Sequence, residues 1–294
     1  MSVHPVMNEN HRRKNLRVVF CANQVSLCIA VELAKIYRSS ANYTIFFMPN
    51  RCDSIAFRDC NFALIPYTRT NLLKFILMNL AFRPDEVCIP HMKIGRLINV
   101  YAKLARSISL IDDGMDTFRE KPKNVNPARF KLRTKYYTFT YNFQLATWLN
   151  GFEIQKVCSI EKLCMTSHQR VPHDDIYWII VESPGVGNLC LKRLFHSGNT
   201  LVVRHSSPHK NTINTYNQDF IIINGSDIGI ENMLMDFTGD VFIGESMSMV
   251  FSLLCGNAKS NLHVYLKIDS FDNLKCLKPL FSKKKPSSFS LSVV

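Results

Sequence analysis

The stretch that decides the fold is ISLIDDG, residues 108–114. Its first four residues form an apolar run that predicts a buried strand, and two adjacent carboxylates and a glycine follow at the carboxyl end of that strand. Two neighbouring carboxylates in such a place repel each other and compete for solvent, which raises the proton affinity of one of them. This pair can take a proton from a hydroxyl group. The alternative interpretation is a solvated Asp-Gly turn.

Apolar runs that predict strands alternate with segments of helical periodicity on both sides of this stretch. The first half predicts strands at 16–21, 43–48, 86–89 and 107–111, and helices at 25–37, 71–82 and 94–105. After polar segments at 118–127 and 166–175, strands are predicted at 176–181, 200–203, 220–223, 241–243 and 263–267, with helices at 189–195 and 244–255. Such alternation with short connections predicts parallel sheets covered on both faces.

We therefore predict an α/β protein of two Rossmann-like domains that face a central cleft. Composition places a basic, disordered N-terminus at 1–14, a first domain at 15–165, a second domain at 166–270 and a basic C-terminal tail at 271–294. Ligands of such sheets bind beyond the carboxyl ends of the strands. Every candidate functional residue named below lies at that end of a predicted strand.

The charge of the chain implies an anionic partner. Its 294 residues include 36 Lys and Arg against 23 Asp and Glu, which gives a formal net charge of +13. Nucleic acid, anionic lipid and an acidic sugar all satisfy this condition. Basic residues interleaved with aromatics at 129–141 and 275–285 fit a peripheral contact with an anionic membrane, and a solvated face is the alternative. Nucleic acid is disfavoured because helix-turn-helix, RNP and zinc patterns are absent from the sequence.

Cysteine usage and hydropathy indicate a cytoplasmic protein. A peripheral position on the inner face of the membrane is compatible with this prediction. No apolar run reaches the roughly 18 residues that span a bilayer. The N-terminus lacks the apolar core of a secretory signal. The ten cysteines are scattered singly without a CxxC pair, which predicts reduced core residues instead of a zinc site or disulfide framework.

Two predicted strand ends in the second half carry residues suited to a phosphate group. A Gly-x-Gly loop follows the strand at 176–181, where glycine lets the backbone approach an anion, although by itself this motif is weak and an ordinary turn is favoured. A basic, His-containing segment follows the strand at 200–203 and predicts a phosphate clamp, with a polar surface loop as the alternative. The candidates are Gly185, Gly187, Arg204, His205, His209 and Lys210.

Three further strand ends carry candidate binding residues. Glu231 opens a short helix and can accept hydrogen bonds from ribose hydroxyls, although a first-turn Glu favoured by the helix dipole is equally consistent. Ser246 and Ser248 lie at a helix start that can hold an anion, and capping by Ser246 is the alternative. Gln24, next to Asn23, follows the first strand on the cleft side and can meet an acceptor.

The order of these motifs resembles that of bacterial sialyltransferases with the two-domain GT-B fold. The likeness is greatest to the lipooligosaccharide sialyltransferases of glycosyltransferase family 52, with polysialyltransferases as more distant relatives, and it spans roughly residues 15–268. Asp112-Asp113-Gly114 matches the acidic-acidic-Gly motif, Glu231-Asn232-Met233-Leu234 is similar to the Glu-Leu-Leu-like segment, and residues 15–24 resemble the N-terminal strand and Pro-x-Gln turn.

The sequence departs from the family pattern at two motifs. His205 is followed by Ser206, while Pro208 precedes His209, so the His-Pro motif is not intact. Met247 separates the two serines of the Ser-Ser/Thr motif. Two alternatives therefore stand beside a sialyltransferase: a transferase of another CMP-activated acidic sugar such as Kdo, and an inactive glycosyltransferase-like protein that binds glycan or membrane.

The resemblance implies an inverting transfer of sialic acid from a CMP-activated donor to a glycan acceptor, without a metal or other cofactor. The second domain would hold CMP and the first the acceptor. Asp113 would be the general base, with Asp112 as its tuner. His205, which lies closest to its strand, would donate to the departing phosphate, with His209 as the alternative. Ser246 and Ser248 would bind that phosphate and Glu231 the ribose or base. The remaining predicted substrate- and donor-binding residues are Gly114, Gln24, Gly185, Gly187, Arg204, His209 and Lys210.

Overall fold

The protein is described here by a computed structural model. It describes residues 15–48, 62–79, 83–90, 95–123, 126, 129–131, 133–141, 143–159, 175–183, 185–186, 199–204, 220–224, 230, 233–234, 237–255, 260–282 and 289–293. Five predicted site residues, Gly187, His205, His209, Lys210 and Glu231, lie outside these ranges, as does the helix predicted at 189–195.

A seven-stranded parallel sheet forms the first domain. Its strands are β1 (Asn15–Cys21), β2 (Ala41–Phe47), β3 (Ala63–Pro66), β4 (Glu86–Pro90), β5 (Ser107–Ile111), β6 (Lys135–Phe139) and β7 (Glu153–Cys158). They lie in the order β3-β2-β1-β4-β5-β6-β7. The direction of strand addition therefore reverses between β1 and β4, and a crevice opens beyond the carboxyl ends at such a point.

Three helices cover the two faces of this sheet: α1 (Gln24–Ile36), α2 (Arg69–Met78) and α3 (Arg96–Leu104). Helix α1 begins at a capping box, in which the Asn23 side chain accepts from the Ser26 amide and Ser26 Oγ accepts from the Asn23 amide. Thr68 Oγ1 accepts the Asn71 amide at 3.0 Å and so caps α2. Helix α1 lies on one face of the sheet, and α2 and α3 lie on the other.

A six-stranded parallel sheet forms the second domain. Its strands are β8 (Trp178–Val181), β9 (Thr200–Arg204), β10 (Phe220–Asn224), β11 (Asp240–Ile243), β12 (Asn261–Leu266) and β13 (Phe289–Val293), and helix α4 (Met247–Cys255) follows β11. The order β10-β9-β8-β11-β12-β13 is that of a Rossmann sheet. The predicted architecture of two Rossmann-like α/β domains is confirmed.

The C-terminal segment returns to the first domain before it ends in the second. Helices α5 (Ile268–Asn273) and α6 (Lys278–Ser282) follow β12. The Asn273 carbonyl accepts from the Glu120 amide at 2.8 Å, and Cys276 Sγ donates to the Phe118 carbonyl at 3.0 Å. Strand β13 then pairs with β12. The domain boundaries stay predictions. The described part of 271–294 forms helices and a strand of the second sheet, so it belongs to the folded protein and is not a tail.

One apolar cluster joins the two domains. The side chains at alternate positions of β1 divide between two clusters, because successive residues of a strand point to opposite faces. Val19 packs in a cluster with α1 that continues into α4 and the second sheet, whereas Val18 packs under α2 and α3. The rings of Phe139 and Phe251 meet edge to face across the domain interface at 6.1 Å between centroids. The interface therefore has an apolar core.

The aromatic-basic stretch at 129–141 contains the core strand β6, and most of its rings are buried. Tyr136, Tyr137, Phe139 and Tyr141 are all at most 3 % exposed, because β6 lies inside the sheet and is covered on both faces. The prediction that these rings contact a membrane is wrong. In the other predicted cluster, Leu277 and Phe281 are buried as well. Among the described residues, none of the helices is both long and apolar enough to cross a bilayer.

Candidate functional site

Asp112 is a fully buried carboxylate that accepts four hydrogen bonds. Its Oδ1 accepts from Thr117 Oγ1 at 2.6 Å and from the Gly114 amide at 3.2 Å. Its Oδ2 accepts from Thr138 Oγ1 at 2.7 Å and from Tyr141 Oη at 3.1 Å. Both oxygens of the carboxylate accept from donors of the surrounding fold. Asp112 thereby ties the loop after β5 to strand β6.

Two tyrosines beside Asp112 remain protonated. Burial, followed by the negative charge of Asp112, raises the pKa of Tyr136 and the pKa of Tyr141 well above the ordinary tyrosine value. Tyr141 donates directly to Asp112, and Tyr136 Oη shares a 2.8 Å hydrogen bond with Thr117 Oγ1. Both phenols therefore stay available as hydrogen-bond donors beside the carboxylate.

Asp113 lies at the carboxyl end of β5 and is 2 % exposed. Its backbone carbonyl accepts a short hydrogen bond from Asn23 Nδ2. Asn23 also caps α1, so the turn after β1 and the loop after β5 are joined across the end of β4. Gln24, the first residue of α1, is half-buried at the same edge of the sheet. The structure thus brings together two predicted site segments that are about 90 residues apart in the sequence.

Gly114 brings this loop against the second domain. Its φ of +150° is a conformation that favours glycine, and a β-carbon there would lie 3.7 Å from Cγ of Met247. Met247 is the residue that separates Ser246 from Ser248, and it begins α4. The acidic loop and the serine segment therefore face each other across the domain interface, as the cleft prediction requires.

Ser246 caps helix α4. Its Oγ accepts a hydrogen bond from the Met249 amide at 3.2 Å. This is the helix capping that was predicted as the alternative to anion binding. Ser248 is buried in the first turn of the same helix. The loop before them is held by Ser183, whose Oγ accepts the Gly244 amide at 2.7 Å and donates to the Val181 carbonyl at 2.9 Å. The carboxyl ends of β8 and β11 are thereby fixed to each other.

A buried ion network crosses the interface beside these loops. Arg119 Nη1 lies 2.5 Å from Asp116 Oδ1, and Arg119 Nε donates to Glu245 Oε1 at 2.5 Å. Ser270 Oγ donates to Glu245 Oε2 at 2.6 Å. All three charged residues are at most 9 % exposed. Sequence reasoning missed this network, although the i,i+3 spacing of Asp116 and Arg119 is a visible signal for the first half of it.

Gly185 has a packing role. Its φ is +102°, and a β-carbon would lie 2.3 Å from the backbone oxygen of Tyr265 on β12. The residue type is therefore set by the close approach of two backbones. Arg204 is the last residue of β9 and is half-buried at the same edge of the second sheet. Whether either residue meets a donor phosphate stays a prediction.

The arrangement of two Rossmann-like domains, with loops from both carboxyl edges facing each other, is the GT-B class of fold. Known structures agree. The chain is similar to the glycotransferase of kitacinnamycin, with a TM-score of 0.53 and 11 % identity over 96 % of this chain and 87 % of that chain. It is also similar to the α/β-galactoside α-2,3-sialyltransferase of the luminous marine bacterium Photobacterium phosphoreum, with a TM-score of 0.50 and 13 % identity over 95 % and 99 %.

A UDP-N-acetylglucosamine 2-epimerase is a further neighbour, with a TM-score of 0.49 and 11 % identity over 92 % of this chain and 88 % of that chain. No protein-family model and no curated protein matches the sequence. The likeness to the two transferases above, at 11 % and 13 % identity, shows the shared fold alone. The resemblance to family 52 stays a prediction.

Proposed function

We propose that this protein is a glycosyltransferase that moves sialic acid from a CMP-activated donor to a sugar hydroxyl, with inversion and without a metal. The observation that carries the proposal is the position of Asp113. It lies at the carboxyl end of β5, is tied by its backbone to the Asn23 turn, and is followed by Gly114 against the start of α4. A base for an acceptor and a binding site for a nucleotide belong on the two sides of such an interface.

In the proposed reaction, Asp113 takes the proton of the acceptor hydroxyl as its oxygen attacks the anomeric carbon of the donor. The new carbon–oxygen bond forms while the bond to the CMP phosphate breaks, and CMP leaves. The oxygen of a general base must lie about 2.6–3.2 Å from the atom that carries the proton it removes. Since Asp113 is 2 % exposed, the proposed reaction requires the two domains to part enough to admit the acceptor to this residue.

Asp112 has a positioning role in this proposal. Two of its four hydrogen bonds join the loop to Thr138 on β6 and to Tyr141 after it. A rigid loop holds the neighbouring carboxylate in one geometry, and preorganisation of this kind lowers the cost of reaching the transition state.

The donor half of the proposal rests on the start of α4. The first amides of a helix and its positive dipole end favour an anion, and the Gly244–Ser248 segment is held in place by Ser183. Ser246 and Ser248 are proposed to bind the CMP phosphate, with Arg204 at the adjacent strand end. His205 is proposed as the donor to the departing phosphate and Glu231 as the ribose contact, both by the resemblance.

Nucleotide preference is the first test. Thermal unfolding is measured with CMP, UDP and GDP, and we expect stabilisation by CMP alone, because a ligand that binds the folded state raises its stability. Stabilisation by UDP without CMP would overturn the donor assignment. Release of CMP is then followed with CMP-sialic acid and with CMP-Kdo, which separates the two sugars. Binding of CMP without turnover of either donor supports the inactive alternative.

Single substitutions test the proposed base. Asp113→Asn keeps the shape of the side chain and removes its basicity, so we expect CMP release in the presence of acceptor to fall by about 10²–10⁴-fold. Asp272→Asn is the matched control, because the Asp272 side chain is 68 % exposed on α5. His205→Ala and His209→Ala are compared in the same assay to identify the functional histidine. Full activity in Asp113→Asn removes this residue from the mechanism.

A further inference from the structure

Helices α2 and α3 carry the same exposed side-chain pattern. On α2 the residues Arg69, Leu73 and Leu77 follow one another at intervals of four, and on α3 the residues Arg96, Val100 and Leu104 do the same. Residues four apart lie on one side of a helix, so each helix presents a stripe of one arginine and two apolar side chains. The apolar members are 48 %, 65 %, 59 % and 52 % exposed in chain order, and Met78 beside them is 71 % exposed.

The two stripes lie on one surface of the molecule. The rings of Phe75 on α2 and Tyr101 on α3 meet at 6.4 Å between centroids, so the helices are neighbours. Leu72 and Ile98 pack beneath them on the face of the first sheet opposite α1. That face is not the one that meets the second domain. The surface is therefore an outer layer of the first domain, distinct from the candidate functional site.

The charge of this surface is of one sign. The two helices contain Arg69, Lys74, Arg96 and Lys103, all exposed, and no acidic residue between 69–78 or 96–104. The nearby arginines outside the stripes are engaged, since Arg83 Nε donates to the Leu104 carbonyl at 2.7 Å and Arg106 pairs with Asp85 at 3.2 Å. Cations alternating with large exposed apolar side chains form a surface that is complementary to an anionic and partly apolar partner.

We infer that the α2–α3 surface docks the protein on an anionic lipid bilayer. The five apolar side chains would enter the boundary between headgroups and acyl chains, and the four cations would contact the lipid phosphates. A membrane is preferred to an acidic protein because large exposed apolar side chains are interleaved with the cations on both helices, and no acidic residue in 69–78 or 96–104 would fix the register of one protein partner. This inference stands independently of the proposed transferase activity.

Sedimentation with vesicles tests the inference. Wild-type protein is mixed with vesicles of phosphatidylcholine alone and of phosphatidylcholine with phosphatidylglycerol. Binding is expected to the mixed vesicles and to weaken as salt rises, because screening shortens the reach of surface charges. An absence of binding to mixed vesicles overturns the inference. Binding to pure phosphatidylcholine of equal strength overturns its electrostatic part.

Substitutions then locate the surface. K74Q/K103Q is expected to weaken vesicle binding about fivefold for each cation, hence roughly 25-fold for the pair. L77S/V100S removes apolar contacts and is expected to weaken binding at every salt concentration. K267Q/I268S is the matched control, since this exposed cation–apolar pair lies at the start of α5.

Far-UV circular dichroism and thermal unfolding show that each variant is folded. Equal loss in the control overturns the assignment to α2 and α3. Polyglutamate is then added as a competitor. If it releases the protein from the vesicles, and L77S/V100S binds the vesicles as strongly as wild type, the surface recognises charge alone and an acidic polypeptide is the partner instead.

Discussion

Replacing Asp112 with asparagine is expected to destabilise the first domain by about 2–3 kcal/mol. The substitution keeps the volume of the side chain and removes its charge. Hydrogen bonds to charged groups contribute about 1.5–3 kcal/mol each. The hydroxyls of Thr117, Thr138 and Tyr141 can rotate to accept from an amide, but the Gly114 N–H cannot. The amide oxygen of the asparagine therefore keeps its donors. At the amide nitrogen the hydrogen bonds are weakened or reversed in direction.

Asp112→Ala removes all four acceptor contacts, and we expect it to cost about 4 kcal/mol or more, because buried donors without an acceptor cost about 1–3 kcal/mol each. Urea unfolding followed by circular dichroism measures both variants, and a shift of the midpoint at constant slope reports the loss of stability. Asp272→Asn, on an exposed side chain, is expected to stay within about 0.5 kcal/mol of wild type. An Asp112→Asn protein as stable as that control would refute the anchoring role of the carboxylate.

Four other outcomes are expected. Gly185→Ala costs about 2–3 kcal/mol in thermal unfolding, because its β-carbon would lie 2.3 Å from a backbone oxygen of β12, and an unchanged Tm contradicts this. Glu245→Gln costs about 3–5 kcal/mol and speeds proteolysis between the domains, because Arg119 is left buried with one carboxylate partner; unchanged digestion contradicts it. Burial raises the pKa of Tyr101 to about 12, so the stability that its protonated phenol contributes is complete below about pH 10 and is lost as the pH rises toward 12. Tyr101→Phe is expected to lose less stability over this range than Tyr177→Phe, because Tyr177 is 58 % exposed. EDTA leaves CMP release unchanged, and a loss restored by a divalent cation contradicts metal independence.

The sequence was sufficient for the strands with simple apolar runs. The strand at 176–181 and the one at 107–111 lie within about two residues of β8 and β5, because a buried parallel strand needs apolar residues on both faces. Strand β6 was missed because its sequence, KYYTF, begins with a cation and has polar-tipped rings that resemble a surface segment. Those phenols are buried because each finds a hydrogen-bond partner inside the fold, as Tyr137 does with Glu86 at 2.8 Å.

The candidate site was predicted in part for a different reason. Position at a strand end can be inferred locally, and this placed Asp113, Gly114 and Ser246 correctly at the two facing edges. The partners of these residues are distant in sequence: Asn23 reaches Asp113 across 90 positions, and Arg119 reaches Glu245 across 126. Such pairs depend on how two sheets are stacked, which neither hydrophobic period nor motif spacing encodes.

The path of the C-terminal segment determines what happens if the chain is cut. Residues 268–282 lie against Phe118 and Glu120 of the first domain, and β13 then completes the second sheet. A protein nicked between 166 and 175 would therefore stay associated as two fragments, held by a shared apolar cluster and the Arg119–Glu245 pair. The two fragments are suited to reconstitution from separately expressed pieces. A chain that ends before residue 268 would lose the segment that fastens the halves to each other.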